Sequence, residues 1–124
     1  MPKALSRINL TLAEEFLAVA QFALDSGFYN AAGTNAVTSA IRAKDAYAIE
    51  FAGQSQKSSD HGRAISELNR IGREGPSLSR SLEKILKEKN RFQYQDVFSA
   101  QESARVQVKR AESFLLAIRA TLAV

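Results

Sequence analysis

Cysteine is absent from the 124 residues, which excludes disulfides, thiolate metal sites and a cysteine nucleophile, and leaves nothing that points to an oxidising compartment. A reducing cytoplasm is the expected setting. Histidine is almost as scarce. His61 is the only one, so a site built on two imidazoles, such as the paired-histidine zinc motifs, is excluded as well. Long apolar runs are also missing. Glu14 and Glu15 interrupt the apolar N-terminal residues before a signal-peptide core can form, and no stretch approaches the ~20 apolar residues of a membrane span. A soluble chain without a membrane association is expected. No glycine-rich phosphate loop follows a strand, and Asp45, Glu50, Asp60 and Asp96 form no recognisable carboxylate metal motif. P-loop and ordinary metalloenzyme chemistry therefore lack support, and no cofactor or metal is expected.

What is present suits one domain over residues 1–124. A chain of this length with 45% hydrophobic residues should bury roughly two thirds of its unfolded surface around a single core. The net charge is +4, and it is unevenly spread: residues 1–60 carry five Lys/Arg against six Asp/Glu, and residues 61–124 carry twelve against seven. A basic second half is compatible with binding RNA, DNA or a nucleotide, because cations near phosphates release counterions. A solvated helical surface with excess Lys and Arg gives the same composition.

Apolar residues recur at helical spacing nearly everywhere, and no strand is needed. A first helix is expected from about residue 9 to Ser26, with Leu12, Phe16, Val19, Ala20 and Ala23 on one face and Leu10, Leu17 and Leu24 on an adjoining one, wide enough for two neighbours. Gly27 suits a left-handed helix end. A second helix over about 29–52 is rich in small residues, among them Ala32, Gly33, Ala36, Ala40 and Ala43, and is expected to run through the middle of the bundle with Ile41, Tyr47 and Phe51 filling gaps. Gly33 costs about 1 kcal/mol relative to Ala in a helix, which close packing can offset. The polar run at 53–60, GQSQKSSD, reads as the longest loop. Asp60 can cap a short third helix over about 61–71 carrying Ala64, Leu68 and Ile71. The GREGPS run at 72–77 stops it, and Ser77 is a fair N-cap for a fourth helix with Leu78, Leu82, Ile85 and Leu86, ending near 89–94. The last helix begins near Ser99 and carries the cleanest stripe: Ala100, Ala104, Val108, Ala111, Leu115, Ile118 and Leu122. These elements imply an all-α fold, an antiparallel up-and-down bundle of four to five helices.

Two places carry chemistry. His61 stands beside Asp60, a carboxylate that can raise its pKa and make it a proton carrier; as a lone loop histidine it equally well serves as a helix-start or surface residue. In KEKNRFQYQD, residues 87–96, Arg91 and Tyr94 are three apart and would share a helical face with Asn90 and Gln93 nearby. A guanidinium can fork onto a phosphate, and a phenol can donate a hydrogen bond or stack on a base. The plainer alternative has Phe92 and Tyr94 anchoring the helix end in the core while Arg91 is solvated.

The layout as a whole resembles the HEPN family. LAEEFLAVAQFALDSGFYNAAGTNAVTSAIRAKDAYAIEFAG is similar to the opening helical hairpin of HEPN domains, SSDHG to the His-Gly that opens their next helix, NRFQY to the segment before their last long helix, and ARVQVKRAESFLLAI to that final helix. The resemblance covers residues 10 to 120, although each motif is short. It implies an all-helical bundle that usually forms a homodimer. Many relatives are metal-independent ribonucleases with an Arg-x(4 to 6)-His motif in toxin–antitoxin or defence systems, and others pair with a minimal nucleotidyltransferase. Here Arg91 is followed by Phe92, Gln93, Tyr94, Gln95, Asp96, Val97 and Phe98, with no histidine. Metal-free RNA cleavage needs a group that moves a proton near neutral pH, and neither glutamine nor an ordinary tyrosine does so readily.

The resemblance therefore implies a module that binds nucleotide, RNA or a partner nucleotidyltransferase through Arg91, Tyr94, Asn90 and Gln93, without the usual catalysis. A ribonuclease toxin whose proton carrier is displaced to His61, with Arg91 and Tyr94 completing the catalytic set, is the alternative. A purely structural interaction bundle is the third reading. Tyr94 is also a candidate acceptor for nucleotide transfer by a partner enzyme.

Overall fold

The computed structural model describes residues 2–55 and 60–124. Among the described residues six helices follow one another: α1 (Ala4–Asp25), α2 (Tyr29–Ala52), α3 (His61–Asn69), α4 (Gly75–Leu86), the short α5 (Lys89–Gln93) and α6 (Gln101–Leu122). The chain is all helical, as its periodicity indicates, and forms the expected bundle. Residues 56–59 of the long polar loop lie outside the described residues.

Side-chain bonds between α1 and α2 fix their direction. The Lys3 backbone N–H donates to Glu50 Oε1 (2.7 Å), Arg42 Nη1 to Asn9 Oδ1 (3.2 Å) and Ser39 Oγ to the Ala13 carbonyl (2.7 Å). Residue numbers fall along α2 as they rise along α1, so the two are antiparallel. Gln21 with Glu112 (3.0 Å) and Glu14 with Arg119 (3.9 Å) give α6 the same relation to α1. The first helix thus has two neighbours. It starts five residues earlier than its apolar pattern suggests: Ser6 and Asn9 are buried too, Asn9 accepting from Arg42 of α2. Its core face is Leu10, Ala13, Leu17, Ala20 and Ala23, whereas Val19 is 46% exposed. The inward stripe draws on both apolar faces legible in the sequence, Leu10 and Leu17 from one and Ala20 and Ala23 from the other.

The second helix occupies the middle through its small residues. Ala32, Ala36, Ala40, Ala43 and Ala46 are fully or almost fully buried, and a Cβ added to Gly33 would stand 2.2 Å from the Phe92 ring of α5. The missing side chain at 33 is therefore what lets α5 lie against α2, and buried aromatic area offsets the helix-propensity cost of glycine. Tyr47 fills the core and donates its hydroxyl to the Ile71 carbonyl at 2.6 Å, tying α2 to the turn after α3. Phe51, expected inside, is 49% exposed, its ring leaning on Tyr47 at 4.8 Å.

Local signals set most helix ends. Gly27 and Gly53 adopt left-handed backbone, and Asp60 caps α3 by accepting the Arg63 N–H at 3.2 Å. The third helix closes at Asn69, two residues before Ile71, which is still buried in the turn. The fourth helix has Glu74 at its N-cap position, without a side-chain cap bond, and Pro76 in its first turn, so Ser77 lies inside the helix. Proline at the start needs no N–H partner, which allows helix from Gly75 onward. Leu78, Leu82, Ile85 and Leu86 face the core, as do Ala104, Val108, Ala111, Leu115, Ile118 and Leu122 of α6, while Ala100 is an exposed N-cap.

Candidate functional site

The site grows from the anchoring of α5. Five residues make little helix by themselves, since nucleation is unfavourable without tertiary support. Phe92 supplies that support by burying its ring over Gly33, and Asn30 of α2 holds the exit from the helix. The Asn30 Nδ2 donates to the carbonyls of Phe92 (3.3 Å) and Val97 (3.2 Å), and its Oδ1 accepts the Ser99 N–H at 3.0 Å. The sequence gives no local hint of this asparagine's role, because its partners are more than sixty residues away.

With Phe92 turned inward, Arg91 turns outward toward the start of α6. Its side chain is half exposed, with Nε 3.4 Å from Glu88 Oε2 and Nη1 donating to Ser103 Oγ at 3.4 Å. The guanidinium sits in a cleft of about 230 Å³ lined also by Glu102, Val106, Gln107 and Arg110. The Glu102 carboxylate is engaged elsewhere: it accepts from Arg105 Nε and Nη2 at 2.9 and 2.6 Å, and those bonds hold its carboxyl below the ordinary 4.5. Gln107 is buried and donates to the Ile85 carbonyl at 2.8 Å, leaving its Oε1 without a hydrogen-bond partner. Arg91, Ser103 and Arg110 thus present two cations and a hydroxyl to one opening, a donor set matched to a phosphate. Ser103, Gln107 and Arg110 are contributions that the sequence reading missed; the only signal for them was the excess of cations in the second half of the chain.

The other candidates fall outside the Arg91 cleft. Tyr94 does not share a helical face with Arg91, because the helix ends at Gln93 and Tyr94 is its C-cap with φ −121°. Its N–H donates to the Asn90 carbonyl (3.0 Å), as does that of Gln95 (3.1 Å). The tyrosine is 67% exposed rather than anchored in the core, and Lys89 Nζ stands 5.9 Å from its ring centre. Asn90 is exposed and Gln93 half buried; neither lines the Arg91 cleft. His61 opens α3 and meets Lys89, whose Nζ is 3.0 Å from its Nε2. Lysine only donates, so Nε2 accepts and the ring proton belongs on Nδ1. Burial, then the Lys89 cation, push the His61 pKa below 6.5, with Asp60 opposing more weakly. The structure therefore joins His61, Lys89 and Tyr94 into one string and places Arg91, Ser103 and Arg110 in a separate cleft. Among the described residues, no three His, Asp or Glu side chains converge as metal ligands would, and no helix is long and apolar enough to cross a membrane.

A comparison with family models matches residues 7–120 to the one described as HEPN domain. No curated protein matches the chain.

Proposed function

The chain belongs to the HEPN domain family, and from that premise we propose that it is a binding module for the phosphate of a nucleotide or RNA, without the ribonuclease chemistry of many relatives. The observation that carries this reading is the Arg91 cleft, in which a half-exposed guanidinium, the Ser103 hydroxyl and Arg110 share one opening. The Glu88 partner of Arg91 is an exposed i,i+3 ion pair at 3.4 Å, a type of contact worth about 0–1 kcal/mol. Charge-assisted bonds to a phosphate contribute about 1.5–3 kcal/mol, enough to displace it.

His61 supports the non-catalytic side of the proposal. A proton carrier for RNA cleavage needs a free nitrogen near the reacting oxygen, whereas its Nε2 already accepts from Lys89. Protonating that ring would set two cations 3.0 Å apart. Within this reading the domain acts as a homodimer in a toxin–antitoxin or defence-type pair with a minimal nucleotidyltransferase. The exposed hydroxyl-bearing Tyr94 is its acceptor for nucleotide transfer; incubation with such an enzyme and ATP should then add a nucleotidyl mass, and an unchanged intact mass would remove Tyr94 from the proposal.

The deciding experiment is equilibrium binding of a fluorescent ATP analogue to wild type and Arg91→Ala, with RNA cleavage assayed alongside in EDTA. Wild type should bind and leave RNA intact, and the variant should bind about 10- to 150-fold more weakly, the range that 1.5–3 kcal/mol implies. Equal binding by both proteins would defeat the phosphate assignment. Cleavage lost in Arg91→Ala would replace the binding module with a metal-independent ribonuclease.

A further inference from the structure

A second opening lies between α4 and α6, about 330 Å³ in volume and larger than the Arg91 cleft. Lys84 of α4 and Arg105, Lys109 and Arg110 of α6 line it, with the hydroxyls of Ser81 and Ser113 and an apolar floor of Val106 and Phe114. No carboxylate lines it. Glu102 neutralises Arg105 from outside, and Glu112 approaches Lys109 only to 3.9 Å. Among the described residues, Lys84 and Arg110 make no ion pair within 4 Å. Uncompensated cations facing one another across a groove repel, a cost that an anion removes on binding.

The groove also continues into the first cleft. Arg110 and Val106 line both openings, so an anion long enough to leave Arg91 at one end passes Arg110 and reaches Lys109 and Lys84. Arg105 and Lys109 are one helical turn apart, about 6 Å along the axis, a spacing comparable to that of successive phosphates on an extended strand. The floor offers little to a peptide. Phe114 is 1% exposed, leaving no apolar anchor of the kind that dominates protein interfaces.

We propose that the α4–α6 groove carries the sugar–phosphate backbone of single-stranded RNA onward from the Arg91 cleft, with Lys84, Lys109 and Arg110 as its phosphate contacts. The inference rests on the same reading of the chain as a phosphate-binding domain and names the ligand as a polyanion rather than a lone nucleotide.

The test is fluorescence anisotropy of a labelled oligouridylate of about a dozen nucleotides, titrated with the 124-residue chain from about 50 to 200 mM salt. Lys84→Gln with Lys109→Gln removes two groove cations that do not line the Arg91 cleft. Arg80→Gln with Lys87→Gln removes two exposed cations of the same region that line neither opening, as a matched control for net charge. Each phosphate contact on a single strand contributes about 0.7 to the slope of log affinity against log salt. The groove variant should therefore lower that slope by about 1.4 and weaken binding about 25-fold at 0.1 M salt. The control variant should do markedly less. ATP binding should be unchanged in the groove variant and weakened in Arg91→Ala by the factor given above, so the two sites are scored separately. RNA binding that is absent in wild type, insensitive to the lysine pair, or equally sensitive to the control pair overturns the groove assignment. In each of those cases the ATP titration still decides the Arg91 cleft by itself.

Discussion

His61 meets Lys89 at 3.0 Å, and that contact can be read directly because the chain has only one histidine. Burial first and the lysine cation second lower its pKa from 6.5. Between the lowered value and 6.5 the unfolded chain holds a proton that the folded chain does not. The histidine's contribution to stability is thus complete above pH 6.5 and is lost as pH falls through the lowered folded pKa. An NMR titration of the ring should give a value below 6.5 in the native protein. Lys89→Met should move it upward by removing the second cause, while burial keeps it from recovering fully; a value that does not move would show that the lysine is a bystander.

Gly33 is the position where one methyl group matters most. Alanine is the better helix former by about 1 kcal/mol, yet its Cβ would meet the Phe92 ring at 2.2 Å, and overpacking of this kind costs about 1–3 kcal/mol. Gly33→Ala should lower the urea midpoint, with a rise showing that α5 moves aside freely. Lys44 and Asp45 present a different sensitivity. Both are 2% exposed, their Nζ and Oδ1 are 2.8 Å apart, and Ser55 Oγ bonds to each. Lys44→Met should cost about 3–5 kcal/mol because it takes the neighbouring cation from a buried carboxylate. Adding Asp45→Leu should recover part of that loss in urea unfolding; additive losses would mean that the two charges are not coupled.

At the scale of elements, the segment from α5 to α6 depends on one side chain. Asn30 satisfies two carbonyls and one N–H there, and polar backbone groups that lose their partners cost about 1–3 kcal/mol when buried. Asn30→Ala should leave the α1–α2 hairpin intact and speed hydrogen exchange at the Ser99 amide by tenfold or more. It should also weaken ligand binding at Arg91, because α5 sets the direction of that guanidinium. Unchanged Ser99 exchange would show that Phe92 alone holds the segment.

At the scale of the whole molecule, one apolar cluster joins all six helices, from Leu10 and Leu17 of α1 through Tyr47, Leu68, Leu82 and Phe92 to Phe114 and Ile118 of α6. No helix has a core of its own. Far-UV circular dichroism and tyrosine fluorescence should therefore report the same urea midpoint, as expected for two-state unfolding of a small single-core domain. Separate midpoints would identify α3 and α4 as an independently melting pair. The basic excess has a structural consequence at this scale as well. Lys84, Arg91, Arg105, Lys109 and Arg110 lie around two adjoining openings, with Glu88 and Glu102 among them at the Arg91 end, so part of the charge asymmetry visible in composition gathers on one side of the molecule.

The sequence by itself determined the helical class, the boundaries of α2, the Asp60 cap, the glycine-ended turns and the inward stripes of α4 and α6. All of these follow from period and local backbone chemistry, which act over three or four residues. It also carried the family resemblance, and through it Arg91. Tertiary structure decided which residues from the two apolar faces of α1 turn inward, since periodicity marks a face without naming its neighbour. It alone decided that Tyr94 leaves the Arg91 cleft, because the end of α5 is set by Phe92 over Gly33 and by Asn30, contacts made across 59 to 69 residues of chain. The pairing of His61 with Lys89 across 28 residues and the meeting of Arg91 with Ser103 and Arg110 have the same cause. Long-range packing chooses among side chains whose local sequence leaves every direction open.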